Sequence, residues 1–232
     1  MTQKGTVFTE ISFRFPRKHL YRKLRLLDHP DLLQEFDALL DEAVALAKPK
    51  VAFRTVLVNQ RGSGFVELEG RRLESHILAA HLLSSNRLYV FAATCGTELD
   101  DWSQTQSDPL KYYWAHEILG IALERAVRHL KRQIVSIYDP GKLTTIDPGA
   151  TVDWPLQGQT LLFELLGDLP AQMGLELLPS HIMKPTKSVS GIIFPTTHPI
   201  NRCRLCDLEG CLERSRPYDK TLFATQPELS NS

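Results

Sequence analysis

The most informative part of this sequence is residues 147–193, which read DPGATVDWPLQGQTLLFELLGDLPAQMGLELLPSHIMKPTKSVSGII. Pro148-Gly149 is a turn dipeptide, because proline presets φ and glycine adopts backbone angles that other residues resist. Asp153 is placed to cap a following helix, and Gly167 is placed to end that helix. The pattern predicts a tight turn with free backbone N–H groups that faces a segment rich in lysine and serine. Such a turn suits a small ligand that carries a carboxylate or a ribose.

Three motifs in this stretch carry a resemblance to a known family. They are a glycine turn, an Asp-Trp-Pro-Leu helix start and a Pro-x-Lys-Ser-Val-Ser-Gly strand, formed here by Gly149, Asp153, Trp154, Pro155, Leu156, Pro185, Lys187, Ser188, Val189, Ser190 and Gly191. On these residues the sequence resembles the activation module of cobalamin-dependent methionine synthase, in the form in which that module stands as a separate protein. The likeness spans roughly Leu20 to Arg214.

The resemblance implies a function in corrinoid reactivation within methionine biosynthesis. A module of this family binds S-adenosylmethionine across a surface groove and presents its methyl group to a cobalamin held by another domain or protein. Its contribution is positioning, so no side chain is expected to act as a catalytic acid or base. The turn of the family carries an arginine and a tyrosine, where this sequence has Thr145 and Ala150. Lys187 or Lys142 is expected to replace the arginine.

The resemblance also implies which residues hold S-adenosylmethionine. They are Pro148, Gly149, Ala150, Asp153, Trp154, Lys187, Ser188, Ser190 and Gly191. Glu124 is a further candidate, because a carboxylate can bind a ribose hydroxyl or offset a sulfonium charge. The alternative for Glu124 is a surface ion pair with Arg128, four residues later on the same helix.

Composition limits the classes of function. Lysine plus arginine and aspartate plus glutamate both total 27, so the net charge gives no general support for nucleic-acid or membrane binding. No apolar run approaches the roughly 20 residues that a membrane helix needs. The N-terminus lacks the apolar segment and the cleavage site of a signal peptide. The four cysteines do not resemble a secreted disulfide framework. We therefore expect a protein of the reducing cytoplasm.

The chain as a whole mixes long helices with hairpin-like strands. In chain order, we predict a helix over residues 31–48, a hairpin of strands 51–59 and 64–70, a short helix over 73–83, a central strand over 87–95, and a long helix from Asp108-Pro109 to about residue 137 with Tyr113 on its apolar face. Because regular βαβ alternation is missing, we predict an α+β fold with a twisted, largely antiparallel sheet flanked by long helices, similar to the methionine synthase activation domain.

The ends of the chain differ from its middle. We predict an N-terminal arm over residues 1–20, an activation-domain-like core over 21–200 and a cysteine-containing tail over 201–232. Within the arm, the residues near Val7 form either an edge strand or an unpaired extension. The basic run 13–25 is either a solvated helix face, which we favour, or a patch that docks an acidic partner.

Three cysteines lie close together near the C-terminus at C-x2-C-x4-C spacing: Cys203, Cys206 and Cys211. Two thiolates at this spacing can bind one zinc ion or iron–sulfur cluster from a tight turn, and the third can close from the next loop. A fourth ligand would come from Cys95, His198 or an exogenous group. Neighbouring arginines, Arg214 among them, are expected to lower the pKa of these thiols. The alternative is a set of reduced cysteines in a mobile tail.

Three hypotheses follow from the sequence. The first is an activation subunit for a corrinoid methyltransferase, with methionine synthase or a separate corrinoid-binding protein as its partner. The second is a metal or iron–sulfur redox protein that serves a corrinoid protein through its cysteine tail. The third is a degenerate module kept as a docking scaffold, which Thr145 and Ala150 favour. Whether the chain is itself an enzyme stays open.

Overall fold

The computed structural model describes residues 6–11, 15–82, 86–151, 153–196, 201–211 and 214–220. Their helices and strands, in chain order, are β1 (Thr6–Glu10), α1 (Arg17–Lys23), α2 (Pro30–Leu46), β2 (Lys50–Gly62), β3 (Phe65–Leu68), β4 (Arg71–Glu74), α3 (His76–His81), β5 (Arg87–Thr94), α4 (Thr97–Gln104), α5 (Pro109–Tyr138), β6 (Leu143–Ile146), α6 (Gln159–Leu166), α7 (Leu169–Gln172), β7 (Glu176–Leu177), β8 (Met183–Lys184), β9 (Ser188–Pro195) and α8 (Arg202–Leu205). None of the helices described is long and apolar enough to cross a membrane.

One seven-stranded sheet forms the centre of the fold. Its strand order is β4-β3-β2-β5-β9-β6, and β1 pairs with the first half of β2. Every pairing in it is antiparallel. Together with the helices, this sheet confirms the predicted α+β class. The N-terminal residues form an edge strand, which is one of the two alternatives that the sequence left open.

The sheet is covered on both faces. Helices α3, α6 and α7 pack against one face, and the second half of α5 packs against the other. The first half of α5 forms a separate helical core with α1, α2 and α4. Strand β5 lies between β2 and β9 and is buried over seven of its eight residues, which confirms the prediction of a central strand. The sequence of a strand that is buried on both faces is a nearly continuous run of apolar residues.

The long helices agree with the sequence predictions. Helix α2 covers most of the predicted range, and α5 starts at Pro109, where Oδ1 of Asp108 accepts hydrogen bonds from the backbone N–H groups of Leu110 and Lys111 at 2.9 Å each. The predicted apolar face of α5 is wrong at its start. Tyr113 is 51% exposed and the neighbouring Trp114 is buried, so the buried face lies one position further along the helix.

Two predicted boundaries near the hairpin differ from the structure. Strand β2 continues to Gly62, so the hairpin turn is tighter than predicted and Gly64 occupies it with φ +80°. The short helix begins at His76 rather than at residue 73, because residues 71–74 pair with β3 as a further strand. Leu73 is buried in this strand, as it would also be on the apolar face of the predicted helix, so apolar spacing alone does not distinguish a strand from a helix here.

Some basic side chains of the run near the N-terminus form ion pairs within the molecule. Arg17 donates to the carboxylates of Asp37 and Asp41 on α2, and Lys23 lies 2.7 Å from Glu117 on α5. These pairs attach α1 to the helical core. The run does form a helix, but Arg17 and Lys23 are paired within the molecule rather than solvated as the favoured interpretation expected. The docking alternative and the three-part division of the chain stay predictions.

Candidate functional site

The proline–glycine bend follows β6 directly. Gly149 has φ +79°, which glycine adopts without strain. Its N–H donates to the carbonyl of Trp154 at 2.8 Å, and the N–H of Ala150 donates to the carbonyl of Asp147 at 3.2 Å. The expectation that this bend offers free backbone donors is therefore wrong, because the bend uses these N–H groups to close on itself.

Asp153 caps a helix, but a different one from the helix predicted. Its carboxylate accepts from the N–H groups of His76 and Ile77, at 3.0 and 3.1 Å, and from the hydroxyl of Ser75. These groups form the first turn of α3, whereas α6 starts at Gln159 with no capping side chain among the residues described. A helix N-terminus offers unpaired N–H groups to any nearby acceptor, and here the acceptor comes from 76–78 residues away in sequence. The predicted end of α6 at Gly167 is confirmed.

Trp154, Ser188 and Ser190 also serve the protein interior. Trp154 is 2% exposed and packs in the core beneath α6. The hydroxyl of Ser190 donates to Oε1 of Gln159 at 3.3 Å, and that of Ser188 donates to the carbonyl of Pro185 at 2.7 Å.

Lys187 lies apart from the bend, near α5. Burial is the main cause that lowers the pKa of His116 on α5, and the charge of Lys187 lowers it further. Lys142 lies at the opposite end of β6 from the bend, just before Leu143. Neither lysine lines the groove described next.

Gly191 allows β6 and β9 to lie unusually close together. A Cβ atom at this position would lie 2.6 Å from the carbonyl oxygen of Ile146 and 2.9 Å from Cε1 of Phe91. Only a glycine fits such an approach. This contact fixes the end of β6, and therefore the position at which the bend leaves the sheet.

A groove of about 720 Å³ lies between α5 and the edge of the sheet, beside the bend. Its lining residues come from α5, β5, β6, β9 and the C-terminal segment: Phe91, Gly120, Leu123, Glu124, Val127, Lys131, Leu143, Thr144, Thr145, Asp147, Val189, Asn201, Cys203 and Ser215. Of the residues that the sequence predicted for ligand or metal binding, Glu124 and Cys203 line this groove. Its volume is that of a site for a small molecule.

The polar groups of the groove are of mixed character. Glu124 pairs with Arg128 on the same helix, while Lys131 adds a cation further along. The hydroxyl oxygen of Thr145 is buried and has no hydrogen-bond partner among the residues described. A buried hydroxyl of this kind is costly unless something bonds to it. The groove therefore presents two carboxylates, those of Glu124 and Asp147, together with one cation and several hydroxyl groups, which suits a ligand that carries both charges.

Sequence reasoning missed several of these residues, although a signal for some of them was present. On helix α5, Gly120 precedes Glu124 by four residues, and Val127 and Lys131 follow it by three and seven. These spacings place all four residues on one face of the helix. Thr145 occupies the position of the arginine in the family pattern. The contribution of Asn201 and Ser215 has no local signal, because it depends on how the C-terminal segment packs against the groove.

The cysteine segment is organised by an arginine. The guanidinium of Arg214 donates to the backbone carbonyls of Cys203 at 3.1 Å, of Cys206 at 3.2 Å and of Leu208. Sγ of Cys203 accepts from the N–H and the hydroxyl of Ser215, at 3.4 and 3.3 Å. The loop thus closes around one side chain.

The described residues give no support to the predicted zinc or iron–sulfur site. No group of three or more metal-binding side chains converges among them. Cys95 is fully buried at the end of β5, and burial raises the pKa of its thiol to about 12. It is therefore a poor partner for the surface cysteines, and His198 lies outside the described residues.

The pKa of Cys203 is lowered, as the sequence predicted, but the main cause is different. The hydroxyl of Ser215 contributes most, its N–H also contributes, and the charge of Arg214 adds less. Hydrogen bonds to the thiolate favour the charged form, so this thiol ionises at a lower pH than an ordinary cysteine.

Replacement of Ser215 with alanine is expected to slow alkylation of Cys203 by iodoacetamide about threefold at neutral pH, because the thiolate loses its main hydrogen bond. The pH profile of the reaction should shift upward. Peptide mass spectrometry measures the rate, with Cys211 of the same chain as the internal reference. Ser136→Ala, on the exposed side of α5, is the control variant. Equal rates in the two variants would contradict the assignment. Cys95 should react only after unfolding.

Taken together, these features define a class of fold: an α+β architecture with an open groove between a long helix and the edge of an antiparallel sheet. Among solved structures, the chain is similar to the crystal structure of the MetH reactivation domain bound to AdoHcy, with a TM-score of 0.65 and 17% sequence identity over 84% of this chain and 79% of that one. No protein-family model and no curated protein matches the sequence. The similarity establishes a shared fold.

Proposed function

We propose that this chain binds S-adenosylmethionine in the groove beside the proline–glycine bend and acts as an activation subunit for a cobalamin-dependent methyltransferase, with methionine synthase as the first candidate. The open groove of about 720 Å³ is the observation that carries this proposal. The shared fold with a domain that binds AdoHcy, the demethylated form of the same ligand, supports it.

The polar groups of the groove match the chemistry of this ligand. S-adenosylmethionine combines an amino-acid carboxylate, an ammonium group, a sulfonium and a ribose. Glu124 would face the sulfonium or a ribose hydroxyl, and Thr145 would exchange a hydrogen bond with the ligand. Lys131 lines the groove and is therefore a better partner for the ligand carboxylate than Lys187 or Lys142.

The residues predicted for binding at the bend would then act in two ways. Pro148, Gly149 and Ala150 follow Asp147, which lines the groove, and their backbone would hold the amino-acid end of the ligand. Asp153, Trp154, Ser188, Ser190 and Gly191 would hold the strands and the bend in place. The reduced corrinoid on a partner protein would supply the cobalt that accepts the methyl group. This chain would hold the donor methyl in a fixed direction, which alone can lower a barrier substantially.

Calorimetric titration with S-adenosylmethionine and with S-adenosylhomocysteine tests this proposal. Glu124→Gln is expected to weaken binding about tenfold, the effect of losing one charged interaction of about 1.4 kcal/mol. If Glu124 faces the sulfonium, the loss will be larger for S-adenosylmethionine, because the thioether of S-adenosylhomocysteine is uncharged. If it faces a ribose hydroxyl, the two losses will be equal.

Glu164→Gln is the matched control for this experiment. Glu164 is also an exposed helical glutamate in an ion pair, with Arg71, but it lies outside the groove. Its replacement should leave both affinities unchanged. If the wild-type protein binds neither ligand, alone or with a corrinoid protein, the proposal fails and a docking scaffold becomes the better explanation.

A further inference from the structure

A second cavity, of about 740 Å³, lies at the opposite end of β6 and β9 from the bend. It is lined by the middle of β2, the start of β5, the end of β9 and the end of α5 with the turn that follows, and its residues include Leu57, Arg87, Tyr138, Pro140, Lys142 and Pro195. We call it the tyrosine cavity. None of these residues lines the groove beside the bend, so the two sites are separate.

Tyr138 forms the aromatic surface of the tyrosine cavity, and Tyr89, which is only 1% exposed, packs against it from the interior. The rings of Tyr89 and Tyr138 lie 5.2 Å apart at an angle of 36°. The hydroxyl of Tyr138 interacts with Oγ1 of Thr55 at 3.1 Å, and its ring meets that of Phe53 edge to face. An aromatic surface held on several sides in this way is already arranged to receive a flat ligand.

The wall of the tyrosine cavity is apolar and partly exposed. Leu57, which pairs with Arg87 across β2 and β5, is 56% exposed. Pro140 and Pro195 add further apolar surface to the cavity. A ligand that covered Leu57 would remove an exposed apolar side chain from water, which favours binding. The cavity therefore prefers a ligand with an apolar body.

The charged groups of the tyrosine cavity are of one sign. The guanidinium of Arg87 lies 5.6 Å from the ring centre of Tyr138, and Lys142 stands in the turn between Gly141 and β6. None of the described lining residues is acidic. Two cations beside low-dielectric walls concentrate a positive field, which attracts an anion.

We propose that the tyrosine cavity binds a small molecule that combines a planar aromatic body with one anionic group, a phosphate or a carboxylate. The planar body lies against Leu57 and Tyr138, and the anionic group lies between Arg87 and Lys142. A nucleoside monophosphate and an aromatic carboxylate share this chemistry. The proposal does not depend on binding of S-adenosylmethionine in the groove.

Fluorescence titration of the full chain with 8-anilinonaphthalene-1-sulfonate tests this proposal, because the probe pairs fused aromatic rings with one sulfonate. We expect one bound probe per chain and at least fivefold weaker binding in Lys142→Gln, since Lys142 is exposed and its loss should not disturb folding. Arg87→Gln should act in the same direction.

Arg132→Gln is the matched control, because Arg132 is an exposed cation that does not line the tyrosine cavity. It should leave the affinity unchanged. The uncharged probe N-phenyl-1-naphthylamine should bind Lys142→Gln and the wild type equally. If the sulfonate probe binds Lys142→Gln and the wild type with the same affinity, the proposal is overturned.

Competition then identifies the source of the ligand and separates this site from the groove. Displacement of the sulfonate probe by adenosine 5′-monophosphate points to nucleotides, and displacement by 1-naphthoate points to aromatic carboxylates. Displacement by neither overturns the proposed ligand class. Displacement by S-adenosylhomocysteine that is weakened by Glu124→Gln, a change in the groove, would place the probe in the groove and also overturn the proposal. Failure of the groove to bind its own ligand appears only in the calorimetric titration.

Discussion

Replacement of Gly191 with alanine is expected to destabilise the protein by about 3 kcal/mol, at the upper end of the usual cost of overpacking. The new Cβ would lie 2.6 Å from the carbonyl oxygen of Ile146, which belongs to the neighbouring strand and cannot move without breaking the pairing of β6 with β9. Urea unfolding followed by circular dichroism measures the change in the free energy of unfolding.

Gly120→Ala is the control for this prediction. Gly120 lies within α5, and no described atom lies within 4 Å of a Cβ built there. Alanine should therefore stabilise the helix, by up to about 1 kcal/mol. If both glycine replacements change stability by the same amount, the close approach of β6 and β9 does not explain Gly191. Because β6 carries Thr145, Gly191→Ala should also weaken binding in the groove.

Replacement of Asp153 with alanine is expected to cost about 2 kcal/mol, the upper part of the range for losing a helix cap. The carboxylate accepts from three groups at the start of α3, and its removal leaves the N–H groups of His76 and Ile77 without this acceptor. Asp153→Asn should cost less, because one carbonyl oxygen remains to accept. The free energy of unfolding in urea gives both values.

Asp168→Ala is the matched control for the cap. Asp168 immediately precedes α7 in sequence, and its side chain makes no capping bond to the described residues. Its replacement should change the free energy of unfolding by less than about 0.5 kcal/mol. A loss at Asp168 as large as that at Asp153 would show that the contact with α3 is not the cause.

The sequence predicted those parts of the fold that depend on neighbouring residues. The start of α5 follows from Asp108 and Pro109, whose capping and φ preferences act within one helical turn. The burial of β5 follows from its continuous apolar run. The resemblance in residues 185–191 led to the fold that the similar solved structure establishes.

The sequence could not predict contacts between distant parts of the chain. Asp153 has the residue type and the spacing of a cap for α6, yet a second helix start competes for the same carboxylate and binds it. Asn201 and Ser215 reach the groove only because the chain returns to it after the last strand. For the same reason, the local sequence around Lys187 does not reveal that this side chain lies near His116 on α5 and outside the groove.

Arg214 has a consequence for the design of shortened versions of this protein. The loop that it holds supplies Cys203 to one wall of the groove, and Arg204 and Asp219 form a second link between the same two segments. A truncation after β9 would leave the sheet and α5 complete while removing that wall. Any expression boundary chosen for ligand studies should therefore lie beyond residue 219, although residues 206–211 and 214–220 form no helix or strand.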